Sequence, residues 1–183
     1  MNYYAIQVLS RQEKKFILLA EDALERLRRE GKDAEGKLHW PRRTLNIRKQ
    51  GKKRTWQAPI FPGYLFWQAE ELDPDVYWLF KRTSGFIRFL KSNRNIEPLS
   101  GASERLLLHF LQHGEIVGAS KVSFDQGDRI QVLSGPMQGL EGQIKKVNKR
   151  KGRAKIELML YEESFLIDFA FDIIGKVTEK KNG

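Results

Sequence analysis

Cysteine is absent from this 183-residue chain, which excludes disulfides, thiolate metal sites and cysteine nucleophiles at once. No apolar run approaches the ~20 residues needed to cross a bilayer. The opening Met1-Asn2-Tyr3-Tyr4 lacks the basic and apolar regions of a signal peptide. A cytoplasmic protein without a membrane partner is therefore expected. Acidic residues are missing from 36–69 and again from 145–155, and there is no internal repeat or low-complexity tract. What is plentiful is positive charge: 33 Lys and Arg against 23 Asp and Glu, a formal balance of +10 that favours polyanions such as nucleic acid. With 40% hydrophobic residues the chain has enough apolar surface to build real cores.

The aromatic and aliphatic run at 3–9 predicts a buried strand. Ser10-Arg11-Gln12-Glu13 has capping-box spacing, and Phe16, Ala20, Ala23, Leu24 and Leu27 then recur at helical intervals until Gly31. Lys37, Arg42, Arg43, Arg48, Lys49, Lys52, Lys53 and Arg54 crowd around Gly51, which suits a basic hairpin turning at that glycine. Residues 60–67 join a turn-prone Pro62-Gly63 pair to another strand-forming run. Asp73 before Pro74 suits the N-cap and first turn of a short helix to Lys81, with a strand at 86–90 and a helix at 103–111 to follow. This order describes an α+β layer. Periodicity lapses at 113–123, where a domain boundary is expected. Beyond it, short runs at 128–133, 142–148, 154–161, 165–169 and 173–177 predict a small β-barrel. The expected organisation is a first domain at 1–113, a linker at 114–122 and a second domain at 123–183.

Two segments carry a resemblance. Phe61-Pro62-Gly63-Tyr64-Leu65-Phe66, taken with Tyr3-Tyr4-Ala5-Ile6-Gln7-Val8, resembles the N-terminal domain of the NusG family of transcription elongation factors. The stretch from Gly127-Asp128 through Gly135-Pro136 and Gly139 to Gly142 resembles a KOW motif. A chain reversing between barrel strands needs such glycines for positive φ or close backbone approach. A phosphate-cradling loop would lead into a helix N-terminus, whereas this one leads into a predicted strand. The resemblance implies a four-stranded antiparallel sheet flanked by helices, a linker, and a five-stranded SH3-like barrel. It implies no enzyme activity and no cofactor. It implies a monomer that grips the clamp helices of RNA polymerase through an aromatic depression, here Tyr3, Tyr4, Phe61, Pro62, Tyr64 and Phe86, and so modulates pausing or termination.

Nucleic-acid contact, to DNA or to RNA such as a hairpin in a leader transcript, is expected from the basic hairpin with Trp40 and Trp56. It is also expected from Arg11, Lys14 and Lys15, from Arg82, Thr83 and Ser84, and from Lys149, Arg150 and Lys151 in the second basic run. Where general NusG proteins carry an aromatic-Gly-Arg sequence for Rho and NusE, this chain reads Tyr161-Glu162-Glu163. That substitution weighs against both contacts and points to a specialised paralogue of the RfaH or LoaP kind. Two rival readings stay open. A KOW-containing ribosomal or ribosome-assembly protein accounts for the barrel and the charge but not for the first domain. A metal enzyme would have to rest on His109 and His113, one helical turn apart; the Glu of H-E-x-x-H is absent and the remaining histidine, His39, is distant, so a third ligand would have to be a carboxylate.

Overall fold

The structure, a computed structural model, describes residues 1–49, 51–90 and 93–175; the side chains of Arg48, Lys49 and Lys53 lie outside the described part. In chain order the elements are β1 (Asn2–Val8), α1 (Glu13–Arg29), β2 (Lys37–His39), β3 (Arg42–Lys49), β4 (Lys52–Pro59), β5 (Tyr64–Ala69), α2 (Pro74–Arg82), β6 (Phe86–Phe89) and α3 (Gly101–Leu111). There follow β7 (Ile116–Val117), β8 (Ser120–Phe124), β9 (Ile130–Ser134), a 3-10 turn (Glu141–Gln143), β10 (Ile144–Asn148), β11 (Arg153–Leu160) and β12 (Glu163–Ile173). They form two compact units. Met1–Pro41 with Phe61–Arg105 make one; Arg42–Ile60 with the chain from Leu106 onward make the other.

The first unit is built on a fully antiparallel sheet in the order β2-β5-β1-β6, with Ala5 opposite Phe66 and Ile6 opposite Phe89. Strand alternation sends Tyr4, Ile6, Val8, Leu65, Trp67 and Ala69 to the face that packs with Phe16, Ala20 and Leu24 of α1 and Val76 and Phe80 of α2. The Phe80 ring lies 6.2 Å from Phe16 and 5.3 Å from Trp67. Each such ring contributes roughly 1.5–3 kcal/mol by burial. The Asp73 side chain caps α2, accepting from the Asp75 N–H at 2.8 Å and the Val76 N–H at 3.3 Å, with Pro74 in the first turn as expected. The capping box expected for α1 does not form. Gln12 is the N-cap, without a side-chain cap bond, and the buried Glu13 carboxylate instead accepts the Gly63 N–H at 2.8 Å. A donor fifty residues away in sequence has taken the acceptor that local spacing assigned to the helix end.

The second unit holds two sheets. The basic hairpin β3–β4 turns at Gly51 and pairs with β7 in a three-stranded sheet, β4-β3-β7. The other is a curled five-stranded sheet in the order β10-β11-β12-β8-β9, whose only parallel pairing joins β12 to β8. Its core is the inward alternation Ala154, Ile156, Leu158 and Leu160 against Ile167, Phe169 and Phe171, and Phe110 stacks on Phe169 at 5.4 Å between ring centres. Two strand expectations need correction. Residues 120–124 form a strand that overlaps the stretch 113–123 where periodicity lapses, with Ser120 and Val122 buried on one face although Gly118 masks the period. The runs expected at 165–169 and 173–177 are not separate strands: β12 is continuous to Ile173, and residues 176 and 177 lie outside the described part. Residues 114–122, expected as a linker, contain β7 and the start of β8.

Gly135, in the loop after β9, shows what a KOW glycine does. Its φ is +101°, and a Cβ there would fall 2.7 Å from the Ser120 Cα, while the buried Ser120 hydroxyl accepts the Met137 N–H at 2.9 Å. Around Gly142 there is nothing within 4 Å of an added Cβ. We therefore expect Gly135→Ala to destabilise the protein by about 2 kcal/mol or more in urea titration and Gly142→Ala to stay within roughly 0.5 kcal/mol.

Candidate functional site

The turn that carries Phe61 and Pro62 is fixed from both sides. The Gly63 carbonyl accepts the Val8 N–H at 2.8 Å, its N–H donates to Glu13, and its φ of +80° suits glycine. An added Cβ there would meet the Val8 carbonyl at 3.2 Å. The six aromatic-depression residues are divided by this arrangement. Tyr4 and Phe86 lie on the helix-covered face of the sheet and belong to that core. Tyr3, Phe61 and Tyr64 share the opposite face, where the Phe61 ring meets Phe66 edge-on at 5.5 Å and Tyr3 lies 5.8 Å from His39. Phe61 and Tyr64 are buried, at 1% and 2% exposure; Tyr3 is half-buried and Pro62 exposed. Burial, with the Glu104 carboxylate second, pushes the Tyr3 phenol above its ordinary pKa.

The cations expected at nucleic acid also separate into two groups. Arg43 acts as a bolt. Its Nε donates to the Asp168 carbonyl at 2.5 Å and its Nη1 to the Pro59 carbonyl, and burial pulls its pKa down to about 10 against the opposing pull of Asp168. It therefore remains charged at neutral pH. Arg42 is half-buried, with Nη1 on Gln57 Oε1 at 3.0 Å. Lys149 pairs with Asp128 and stands 3.9 Å over the Phe124 ring, which joins the turn before β11 to the KOW turn at Gly127-Asp128. Thr83 ends α2 by donating its hydroxyl to the Leu79 carbonyl at 2.8 Å. The exposed remainder is Arg11, Lys14 and Lys15 around the start of α1, Lys52 and Arg54 on β4, Arg82 at the end of α2 and Ser84 after it, and Arg150 and Lys151. Arg48, Lys49 and Lys53 keep only their strand positions, since their side chains are not described.

Two features escaped the sequence reading. Trp78, 47% exposed on α2, carries Lys81 Nζ at 4.8 Å over its ring and the Arg82 guanidinium at 5.7 Å. The i,i+3 and i,i+4 spacing was the available signal. The other is a cavity of 710 Å³ between Asn46 and Ile47 of β3, the turn at 149–153, and the end of β12. Its walls are more than a hundred residues apart in the chain, so no local pattern announces it. At the histidine pair, His109 Nε2 donates to the Pro136 carbonyl at 2.7 Å, and the His113 ring lies 5.7 Å away. Burial first, then His109, lowers the His113 pKa. Among the described residues no group of three His, Cys, Asp or Glu is placed to hold a metal.

If Arg43 is a structural bolt, Arg43→Ala strands two acceptor carbonyls. It should cost about 2 kcal/mol in thermal or urea unfolding, and Arg54→Ala on the exposed strand should cost less than about 0.5 kcal/mol.

Comparison with known proteins agrees with this geometry over both halves. A family model described as transcription termination factor nusG matches residues 1–107, and a KOW-motif model matches residues 126–157, which contain Gly127, Asp128, Gly135, Pro136, Gly139 and Gly142. The transcription termination/antitermination protein NusG of Thermus thermophilus is 27% identical over 141 residues, covering 72% of this chain and 75% of its own. That of Xylella fastidiosa is 24% identical over 183 residues, covering 95% and 98%, and that of Synechocystis is 27% identical over 188 residues, covering 96% and 89%. A solved structure described as domain interaction in Thermotoga maritima NusG shares the fold, with a TM-score of 0.57 at 18% identity over 92% of this chain and 93% of that one. No helix among the described residues is long and apolar enough to cross a membrane. With an antiparallel sheet domain matched from its first residue and a KOW segment on the curled β-sheet, the chain belongs to the NusG family, a family of transcription factors and not of enzymes.

Proposed function

We propose that this chain binds the clamp of RNA polymerase through the sheet face that carries Tyr3, Phe61 and Tyr64, and that it modulates pausing or termination while touching nucleic acid. The observation that carries the reading is the family match over 1–107, the stretch that contains this face and the rigid turn beside it. Phe61 and Tyr64 act from below, as the floor that sets the shape of the depression, while Tyr3 and Pro62 present apolar surface to a partner helix. Tyr4 and Phe86 contribute through the core behind it. The functional division follows 1–113, 114–122 and 123–183, with the barrel recruiting a second partner or RNA at raised local concentration. For 114–122 to serve as a free tether, the pairing of Arg42 and Arg43 with Ile116 and Val117, the pairing of Ser120–Val122 with β12, and the Arg43–Asp168 and Arg153–Asn46 bonds must all open.

The subtype rests on the β11–β12 turn. Leu160 pairs with Glu163 across it, and the positive φ of +53° falls on Tyr161, a bulky residue in a region glycine normally fills. Glu162 in the turn and Glu163 at the start of β12 put two carboxylates where the general factors present a flexible residue and a cation. This supports a specialised antiterminator with weakened contacts to Rho and NusE.

The test is single-round transcription with purified polymerase on templates that carry a terminator behind different leaders. Readthrough confined to one leader supports the specialised factor, and a uniform effect supports a general one. Absence of polymerase binding together with co-sedimentation with ribosomal subunits would replace the proposal by the ribosomal reading. Tyr3→Ala should lower polymerase affinity about tenfold with unchanged thermal stability, the loss expected for an interface aromatic. Phe61→Ala should instead cost about 3–5 kcal/mol of folding stability.

A further inference from the structure

The cavity in the second unit is lined by a few apolar side chains and a larger set of polar and basic ones. Ile47 and the buried Phe171 supply apolar surface, and Arg153 ties the two walls together by donating Nη2 to the Asn46 carbonyl at 2.9 Å. The turn that forms one wall is rigid. Gly152 donates its N–H to the Lys149 carbonyl and accepts the Phe171 N–H at 2.9 Å, and the Lys151 N–H is held by Asn148 Oδ1 at 3.0 Å. Within the basic run, Lys145, Lys149 and Lys155 have carboxylate partners, in Glu157, Asp128 and Asp168. Arg150 and Lys151, exposed at the tip, have no ion pair among the described residues. Asp172 is the acidic member of the lining, and it lies opposite Lys121 of β8.

The hairpin extends this lining. Arg54 is directly opposite Ile47 and Trp56 directly opposite Leu45, so strand alternation puts all four on one face. On that face Leu45 is buried, at 6%, but Trp56 is 58% exposed. The indole is therefore an exposed flat surface on the sheet face of Ile47, which lines the cavity, with Arg54 lying between Trp56 and the cavity-lining Ile47 in the register of that face. No acidic residue occurs anywhere on the hairpin. Cations together with an exposed indole, next to a concave and largely polar surface, match a chain that alternates phosphates with unpaired bases; a duplex offers no base face to an indole.

We propose that Trp56, Arg54, Arg150 and Lys151 form one binding strip for single-stranded nucleic acid, with a base stacked on Trp56 and the flanking phosphates neutralised by the three cations. The strip rests on the nucleic-acid contact proposed above and specifies its form. It needs both the hairpin and the barrel turn, so neither basic run suffices by itself.

The experiment is fluorescence anisotropy with the full chain on labelled twelve-residue oligouridine, oligothymidine and an RNA duplex of equal length, across a salt series. Both single strands should bind more tightly than the duplex. Trp56→Ala should weaken single-strand binding about tenfold, with Trp56→Phe retaining most of it. The double substitution Arg150→Gln, Lys151→Gln should flatten the slope of log affinity against log salt by about 1.4, from ~0.7 per lost phosphate contact. Tighter binding of the RNA strand identifies the transcript as the source of the ligand, and tighter binding of the DNA strand identifies an exposed template-region strand. Duplex binding equal to single-strand binding, or a silent Trp56→Ala, overturns the strip. If the wild-type protein binds none of the three probes, the underlying nucleic-acid reading fails as well. Unchanged thermal melting of the variants, all at exposed positions, separates these outcomes from misfolding.

Discussion

The basic hairpin is held by two guanidinium groups, Arg43 and Arg153, and by the pairing of β3 with β7; the Arg43 contact is the more buried. Arg43 lies at the start of β3 with its donors directed to the carbonyls of Pro59 and Asp168, so the same side chain closes the open end of the hairpin and attaches it to β12. Burying that charge is unfavourable, and the lowered pKa registers the cost. Hydrogen bonds from a charged donor to carbonyls that would otherwise lie unpaired offset it. Everything proposed for the second unit depends on this attachment. With the hairpin in place, Ile47 faces the turn at 149–153 and a cavity exists; without it, the two basic runs are separate loops.

The same logic governs the first unit, where Glu13 joins the start of α1 to the turn before β5 through the Gly63 N–H. That bond sets the turn while β1 and β5 pair in register, and the aromatic face follows from the pairing. Tyr3 and Tyr4 are adjacent in sequence and therefore on opposite faces. One joins the core with α1, and the other remains accessible to a partner.

Much of this was readable in the sequence because it is local. The helical interval from Phe16 to Leu24, the Asp73-Pro74 start of α2, the alternation along β11 and the turn glycines all act within a few residues, and each appears where its pattern placed it. What was not readable depends on long-range partners. Glu13 has ideal capping-box spacing, and only the fold reveals that Gly63 claims its carboxylate. Arg43 and Arg54 are the same residue type in one basic run, yet one is a bolt and the other a solvent-facing cation. The spacing of Phe61 and Tyr64 marked an aromatic segment but did not reveal that both are buried while Pro62 between them is exposed, since burial of an aromatic is decided by what packs over it. The cavity beside Asn46 had no sequence signal, because its walls meet only after the hairpin has folded against the barrel.

Docking of the Tyr3 face on the transcription machinery is tested by site-specific photocrosslinking. The benzophenone amino acid p-benzoylphenylalanine would replace Tyr3 in the full chain, and the protein would be added to a purified polymerase elongation complex. A crosslink from position 3 to the helices of the polymerase clamp is expected. A crosslink only to other surfaces of the polymerase, or none while the protein still co-purifies with the complex, would contradict the assignment of this face.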